Sequence, residues 1–548
     1  MRTSRRSRYY LIFAALLVAL LGAMPLSTAG AGGEATRYLV VLSGTATDSG
    51  FALSGTRDAA LALVASSGGT VVSDLSRQTG VLIVDSPNPL FDEVVRSSPL
   101  VSEAGEDYRW KAYASNAELA SATAAGPPDG KCPSPPDPTD ADCQQPPAVQ
   151  DPFEAAQWDM QQICVIRTTE YQYCGTGAHS VQKGKADVEV GILDSGFDGR
   201  HPDLSPNADC ARGRNSVNAM VGLPGEEQPG YGTPGNPGVG TPDPCTDNQF
   251  HGTHVAGTVA ADDNGVGMVG VAPGVTIIPV KVCDATGYCY ASAAVDGITY
   301  SGDMKFEVIN MSFFVDDNEF QQSTEFKCSS DPVQRTFRHA VERAIVYARS
   351  QGVTPVAALG NSDQDLAHPV DDSGQPISNE CEVVPAETQG VIGTMSLGRL
   401  SEKARYSNYG SGMTDIAAPG GNGTTGDCRR TILSTLPGGL YGCIQGTSMA
   451  SPHAAGVAAL IVSQFGKVVA EKNLDYDNDP TTPPRRDLDV VLPPQTVEAY
   501  LQASAVDIGL PGYDECFGPG RAHALRAVLH DTSKLYDARA PSCPEYAE

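Results

Sequence analysis

Between residues 188 and 420 the chain repeats one pattern: a short, uninterrupted apolar run, then a longer stretch of mixed polarity. The runs are 188–194 (VEVGILD), 276–282 (TIIPVKV), 307–313 (EVINMSF), 354–361 (TPVAALGN), 391–397 (VIGTMSL) and 414–420 (TDIAAPG). A strand with one wet face alternates apolar and polar residues. A run that is apolar throughout is buried on both faces, as happens when helices cover a parallel sheet from both sides. Helical patterns lie between several runs, notably HGTHVAGTVAA from His251 and TFRHAVERAIVYARSQG from Thr336. The pattern predicts an α/β fold with a mostly parallel central sheet and helices on both faces. Reactive groups in such a sheet collect beyond the carboxyl ends of its strands.

The segment before this repeat reads differently. TRYLVVLSG is a strand, 57–69 (RDAALALVASSGG) a helix with a glycine end, and TVVSDL and GVLIVDS are strands. A second helix spans 89–98 and LVSEAGEDYRW closes the unit. The order βαββαβ predicts a small α+β, ferredoxin-like module over 34–112. Residues 113–150 include GPPDGKCPSPPDPTDADCQQPP, which suits neither a helix nor a central strand and reads as a linker. The main domain is expected over 151–530, with a tail over 531–548. Stretches 205–248 and 473–490 read as polar insertions.

Residues 1–31 read as an export signal. Arg2, Arg5, Arg6 and Arg8 precede the apolar stretch LIFAALLVALLGA, and AGA offers a small-residue cleavage site. The apolar stretch is short for a membrane span. Acidic residues outnumber basic ones 65 to 37, for a formal charge of −28. That excess disfavours nucleic acid and anionic membranes as partners, since phosphate binding needs a basic surface. The 14 cysteines of an exported chain suggest disulfides rather than metal ligands. Sequential pairing would join Cys132 to Cys143, Cys164 to Cys174, Cys210 to Cys245, Cys283 to Cys289, Cys328 to Cys381, Cys428 to Cys443 and Cys516 to Cys543.

Four residue types needed for serine acyl transfer fall at ends of the apolar runs or starts of helices. Asp194 ends the first run in GILDSGFDG, His251 opens a helix in FHGTHVAGT, Asn361 ends a run in AALGNS, and Ser448 opens a helix in GTSMASPH. A serine before a helix is more often only a cap. It becomes a nucleophile when a histidine takes its proton, an aspartate orients that histidine, and an amide donor receives the oxyanion. The chain order Asp, His, Ser is that of subtilisin, not of α/β-hydrolases. DSG at Asp194, HGTHVAGT at His251, GTSMASPH at Ser448, VINMS at Val308 and LGN at Leu359 together resemble the subtilisin family of serine peptidases, from about Gln157 to Val528.

The resemblance implies a subtilisin-like fold and a secreted endopeptidase, made as a precursor and cut by itself. In that reading Asp194 is the orienting acid, His251 the general base, Ser448 the nucleophile, and Asn361 with the Ser448 N–H the oxyanion donors. The upstream module is similar to the family's inhibitory propeptide, an intramolecular partner. Protein or peptide substrates would pair with an edge strand at Met311–Phe314 and lie along Ser312, Phe313, Phe314, Ala358, Leu359 and Gly360. A structural Ca²⁺ is implied, held by the side chains of Asp203 and Asn264 and the carbonyls of Asp262, Val266 and Met268, with Glu154 as a possible further ligand. The chain is expected to be a monomer.

Several residues read more plainly. Asp198 suits a turn, His254 and His453 suit buried structural positions, and DYDNDP near residue 475 lacks the glycine and glutamate of a calcium loop. Phe314 stands where many family members have glycine, which puts the pocket's shape in question. Glu382 either favours a basic side chain there or is simply exposed, and the resemblance implies a cis bond at Val384-Pro385. An esterase is disfavoured because GTSMA lacks the last glycine of GxSxG. A dedicated protease inhibitor is disfavoured by the intact second domain. A catalytically impaired, peptide-binding relative is the alternative reading.

Overall fold

The computed structural model describes residues 35–47, 50–112, 151–217, 243–314, 331–370, 375–376, 382–474 and 485–538. Near the N-terminus, β1 (Thr36–Leu42), β4 (Thr70–Leu75), β5 (Val81–Ser86) and β6 (Val101–Glu106) form an antiparallel sheet in the order β4-β5-β1-β6. Two helices accompany it, α1 (Arg57–Ser66) and α2 (Phe91–Arg96). Thr56 starts α1 because its hydroxyl accepts the Ala59 N–H at 3.1 Å. This is the strand order of a ferredoxin-like unit. A small hairpin, β2 (Gly44–Thr47) with β3 (Gly50–Leu53), is added between β1 and α1. The sequence did not announce it, because most of its residues face solvent and bury no pattern.

The main sheet is parallel and seven-stranded, in the order β15-β14-β13-β12-β8-β10-β9. Its strands are β8 (Glu189–Asp194), β9 (Arg214–Asn215), β10 (Thr276–Lys281), β12 (Val308–Met311), β13 (Thr354–Ala358), β14 (Ile392–Leu397) and β15 (Ile416–Pro419). Six of them are the apolar runs, each slightly shorter than its run, and five of those six are buried throughout. Alternate side chains serve opposite faces. Val190, Ile192, Val308 and Val356 pack with α4 (His251–Ala260) and α7 (Thr447–Phe465). Leu193, Ile309, Met311 and Ala357 pack with α5 (Ala291–Asp303) and α6 (Pro332–Ser350). The short α3 (Trp158–Gln162), α8 (Pro494–Ala503) and α9 (Ala524–Leu529) complete the helices.

The N-terminal unit rests on α5 and α6. Leu39, Val41, Leu75, Val81 and Ile83 share one core with Ala294, Ala340 and Ala344. Arg335 meets Glu103 at 2.8 Å, and Arg343 lies 4.4 Å over the Phe51 ring. β7 (Arg109–Lys111) continues the unit and pairs antiparallel with β11 (Tyr288–Tyr290) of the main domain.

Two expectations change. The stretch 473–490, read as a polar insertion, is flanked and partly occupied by a hairpin, β18 (Lys467–Leu474) with β19 (Arg485–Val491). Its charged residues hid an antiparallel pairing made through the backbone. Met311–Phe314 was read as the edge strand that meets substrate, yet β12 stops at Met311 and is central, between β8 and β13. The strand outside the main sheet that receives a neighbouring segment is β11, paired with β7, and its three residues are too few to show a period. Disulfides join Cys164–Cys174, Cys210–Cys245, Cys283–Cys289 and Cys428–Cys443, as sequential pairing expected. Cys132, Cys143, Cys328, Cys381 and Cys543 lie outside the described residues, as do the signal, the linker and most of the motif near residue 475. Val384-Pro385 is cis.

Candidate active site

Asp194, the last residue of β8, is fully buried, and both its carboxylate oxygens face His251 Nδ1, at 2.9 and 3.0 Å. His251 is the first residue of α4. A helix start leaves its first N–H groups without intrahelical partners. Here side chains take each of them. The His251 N–H donates to Gln249 Oε1 at 3.0 Å, Gly252 N–H to Ser195 Oγ at 3.0 Å, and Thr253 N–H to Asp247 Oδ2 at 2.9 Å. Asp247 also accepts from Ser195 Oγ and from the Phe250 N–H, so it ties the end of β8 to the start of α4. Burial pushes its carboxyl up, against these donors and the nearby Lys281. Gly252 is required by space, since a Cβ there would lie 1.9 Å from the Gly196 carbonyl oxygen. Asp247 was not singled out in the sequence; an aspartate four residues before the histidine was its one trace.

Ser448 lies in the first turn of α7, 5% exposed. The helix is buried for 17 of its residues, which its alanines and glycine allow. Pro452 sits inside it and has no N–H, so the Ser448 carbonyl lacks its usual helical donor. Ser312 supplies a replacement: its Oγ donates to the Ser448 carbonyl at 2.8 Å. Ser448 Oγ in turn donates to the Ser312 carbonyl at 2.9 Å. Asn310 Nδ2 holds Ser312 Oγ at 2.8 Å, and Ser451 Oγ holds Asn310 Oδ1 at 2.5 Å.

Asn361 follows β13 and is exposed. Its Oδ1 accepts from both the N–H and the hydroxyl of Thr447, each at 2.9 Å, which fixes the amide so that Nδ2 points away from Thr447. The Ser448 N–H, in the first helical turn, has no intrahelical acceptor. Ala358, Leu359 and Gly360 are buried, so their backbone is what they can present. Phe313 is buried beside Trp110, with ring centroids 6.0 Å apart, and Phe337 is 5.4 Å from Trp110. Phe314 is only partly buried against the same core.

Other candidates fall where their chemistry allows. His254 Nε2 meets the Ile432 carbonyl at 3.0 Å, and burial drives its pKa down to about 3. His453 is buried, with Nε2 3.0 Å from Asp159 and Nδ1 2.7 Å from the Met449 carbonyl. Asp198 accepts from the Arg200 and Gly438 N–H groups, as a turn residue does. Glu382 pairs with Arg338 at 2.8 Å.

A second polar cluster lies after α4. Asp203 Oδ2 accepts from the Met268 N–H at 3.0 Å and the Tyr441 hydroxyl at 2.8 Å, while its Oδ1 is buried without a hydrogen bond. Asp151 Oδ1 accepts from the Gly265 N–H at 2.6 Å, and its Oδ2 is likewise buried and unmatched. Asn264 Oδ1 accepts from Val266 N–H at 2.9 Å. Burial raises the pKa of both carboxyls to about 7, and the Asp203 charge adds to the rise at Asp151. Gly267 leaves the space: a Cβ there would lie 2.4 Å from Asp203 Oδ2. Two buried carboxylates with orphan oxygens suit a hard cation with oxygen ligands. Asp151 reaches this loop through the Gly265 N–H. One aspartate just after the Pro-rich stretch was too little to mark it.

Comparison with known proteins agrees with this architecture. Subtilisin NAT of Bacillus subtilis subsp. natto is 33% identical over 286 residues, covering 52% of this chain and 58% of the relative. Subtilisin of Bacillus pumilus is 33% identical over 286 residues, covering 52% and 80%. The crystal structure of the epidermin leader peptide processing serine protease (EpiP) of Staphylococcus aureus shares the fold, with a TM-score of 0.59 and 19% identity over 90% of this chain and 98% of that one. The model of the Subtilase family matches residues 185–520, the stretch that carries Asp194, His251, Asn361 and Ser448, and the chain belongs to that family.

Proposed function

We propose that this chain is a secreted serine endopeptidase that hydrolyses protein or peptide substrates through Asp194, His251 and Ser448. The observation that carries the reading is the buried Asp194 carboxylate held against His251 Nδ1. That contact fixes the imidazole's tautomer and orientation. In the reaction Ser448 Oγ leaves the Ser312 carbonyl, gives its proton to His251 and attacks the scissile carbonyl. Asn361 Nδ2 and the Ser448 N–H receive the oxyanion. His251 then protonates the leaving amine, and water hydrolyses the acyl-enzyme.

The N-terminal unit acts as an intramolecular inhibitor. What supports this is β7, which pairs with the edge strand β11 and buries Trp110 to 2% exposure between Phe313 and Phe337. A structural Ca²⁺ would be held by Asp203, Asp151 and Asn264 with carbonyls of the 262–268 loop, neutralising charge the fold otherwise concentrates. Among the described residues no helix is long and apolar enough to cross a membrane.

The test is a fluorophosphonate probe on secreted protein, read by intact and peptide mass beside Ser448→Ala. One adduct, on Ser448, with an N-terminal fragment released only in the wild type, is expected. A folded, processed protein without the adduct would overturn the reading in favour of a peptide-binding relative.

A further inference from the structure

A cavity of about 630 Å³ lies away from the Asp194–His251 pair and brings four arginines together: Arg399, Arg405, Arg429 and Arg430, with Glu402 and Asp427 as its acids. Four guanidinium groups against two carboxylates is unusual on a chain with a formal charge of −28. The acids are already occupied. Asp427 pairs with Arg429 at 2.9 Å. Glu402 accepts from the Leu400 N–H at 2.8 Å and from Asn422 Nδ2 at 3.2 Å. Arg399 lies 3.5 Å from Glu170 across a wet surface. The Arg405 guanidinium is exposed and donates to the Gly423 carbonyl at 3.1 Å. Arg430 is exposed, and its charge acts on Asp427, which already pairs with Arg429. Arg405 and Arg430 thus line the concave site without a close carboxylate partner of their own among the described residues.

The pocket's position gives it a use. It stands over the carboxyl ends of β14 and β15, on the loops that follow Leu397 and Pro419. Its Gly423 N–H is held at 2.7 Å by Gln445, three residues before Ser448. Gly446 is bonded to Gly420 at 3.0 Å in the same loop pair. β11 lies on the other side of the centre, where the Cys283 N–H meets the Asp194 carbonyl at 3.2 Å. Ser312 and Asn361 follow the strands between, β12 and β13. A peptide whose N-terminal half pairs with β11 and passes Ser448 is carried towards the β14–β15 loops by its C-terminal half.

We propose that this pocket is a carboxylate-binding subsite for acidic side chains on the C-terminal side of the scissile bond, with Arg405 and Arg430 as its donors. The inference rests on the peptidase reading and adds a substrate class to it. Planar guanidinium groups bind carboxylates in a two-point fashion that ammonium groups do not match.

Internally quenched peptides, identical before the scissile bond and carrying either glutamates or glutamines after it, test the proposal. The wild type should show kcat/KM about three- to tenfold higher for the glutamate peptide, a range typical of partly exposed charge pairs. The ratio should fall towards one in Arg405→Ala/Arg430→Ala, and in the wild type as salt screens the site. Arg430→Gln alone, at an exposed position, should show a partial loss should the double variant fold poorly. A ratio of one in the wild type, or a ratio the variants leave intact, would overturn it. Binding is read separately on the inert Ser448→Ala chain, by anisotropy of fluorescein-labelled tetraglutamate and tetraglutamine. Tighter tetraglutamate binding that needs Arg405 and Arg430 supports the subsite, and equal binding refutes it. Cleavage of neither peptide counts against the peptidase reading, and the anisotropy then decides the pocket on its own.

Discussion

Ser312 and Ser448 each donate their hydroxyl to the other's backbone carbonyl, at 2.8 and 2.9 Å. One half of this exchange exists because Pro452 cannot donate. Ser312→Ala should leave the Ser448 carbonyl buried and unpaired and lower stability by about 1–3 kcal/mol in urea denaturation. Adding Pro452→Ala to that variant restores a helical N–H and should recover about 1 kcal/mol. A double-mutant cycle with no coupling would show that the two residues do not share this carbonyl.

Asp247 serves the first turn of α4 and the hydroxyl of Ser195 at once. Asp247→Ala should cost about 2 kcal/mol or more, through the lost cap and the buried donors left behind. It should also lower kcat, because His251 is the first residue of that helix. Unchanged stability and kcat would show that Gln249 and Ser195 hold α4 unaided.

Removing one oxyanion donor costs about 10²–10³ in kcat, a magnitude established on subtilisin itself. Asn361→Ala should lose a comparable factor with KM little changed, read from initial rates on a chromogenic peptide. A loss confined to KM would assign Asn361 to binding.

Calcium should raise the melting temperature, and a chelator should lower it. A ligand at 100 times its Kd adds about 2.7 kcal/mol. Asp203→Asn and Asp151→Asn should each abolish most of the shift. Protons compete for the same oxygens. Both carboxyls have pKa values raised to about 7 without the ion, so affinity should fall as pH drops through about 7. Calorimetry with and without calcium at two pH values checks both.

Asp107 of the N-terminal unit accepts from the Ser292 N–H at 2.8 Å and from the Ser292 hydroxyl, at the start of α5. Burial raises its pKa to about 6, with Arg37 opposing and Asp85 adding to the rise. The carboxyl binds a proton more tightly when docked than when released. Docking is therefore strongest below the free value and weakens as pH rises through about 6. Retention of the cut N-terminal fragment, measured by size exclusion, should be about tenfold tighter at pH 5 than at pH 7. Asp107→Asn should remove the pH dependence.

The main sheet and its reactive strand ends were legible because burial on both faces leaves an unbroken apolar signature, as in the VEVGILD run. Helix-starting histidine and serine were legible because their neighbours are small. Asp151 and Asp247 were not: each acts through one carboxylate brought close by folding, with no periodicity around it. β11 escaped notice because an edge of three residues works through its backbone, which every sequence has. Ser312 was named for its place beside the cleft, but its bond to Ser448 depends on the missing N–H of Pro452, a relation between two distant positions.

The Cys283–Cys289 bridge spans only a tight loop, yet its two ends have different duties. Cys283 is hydrogen-bonded to the backbone of Asp194, and Cys289 is the register partner of Trp110. The strand that β7 occupies and the carboxylate that faces His251 are therefore one mechanical part. The two cysteines lie 6 positions apart in sequence and the loop between them leaves little slack, so the placement of β11 and the placement of Asp194 are coupled through one covalent link.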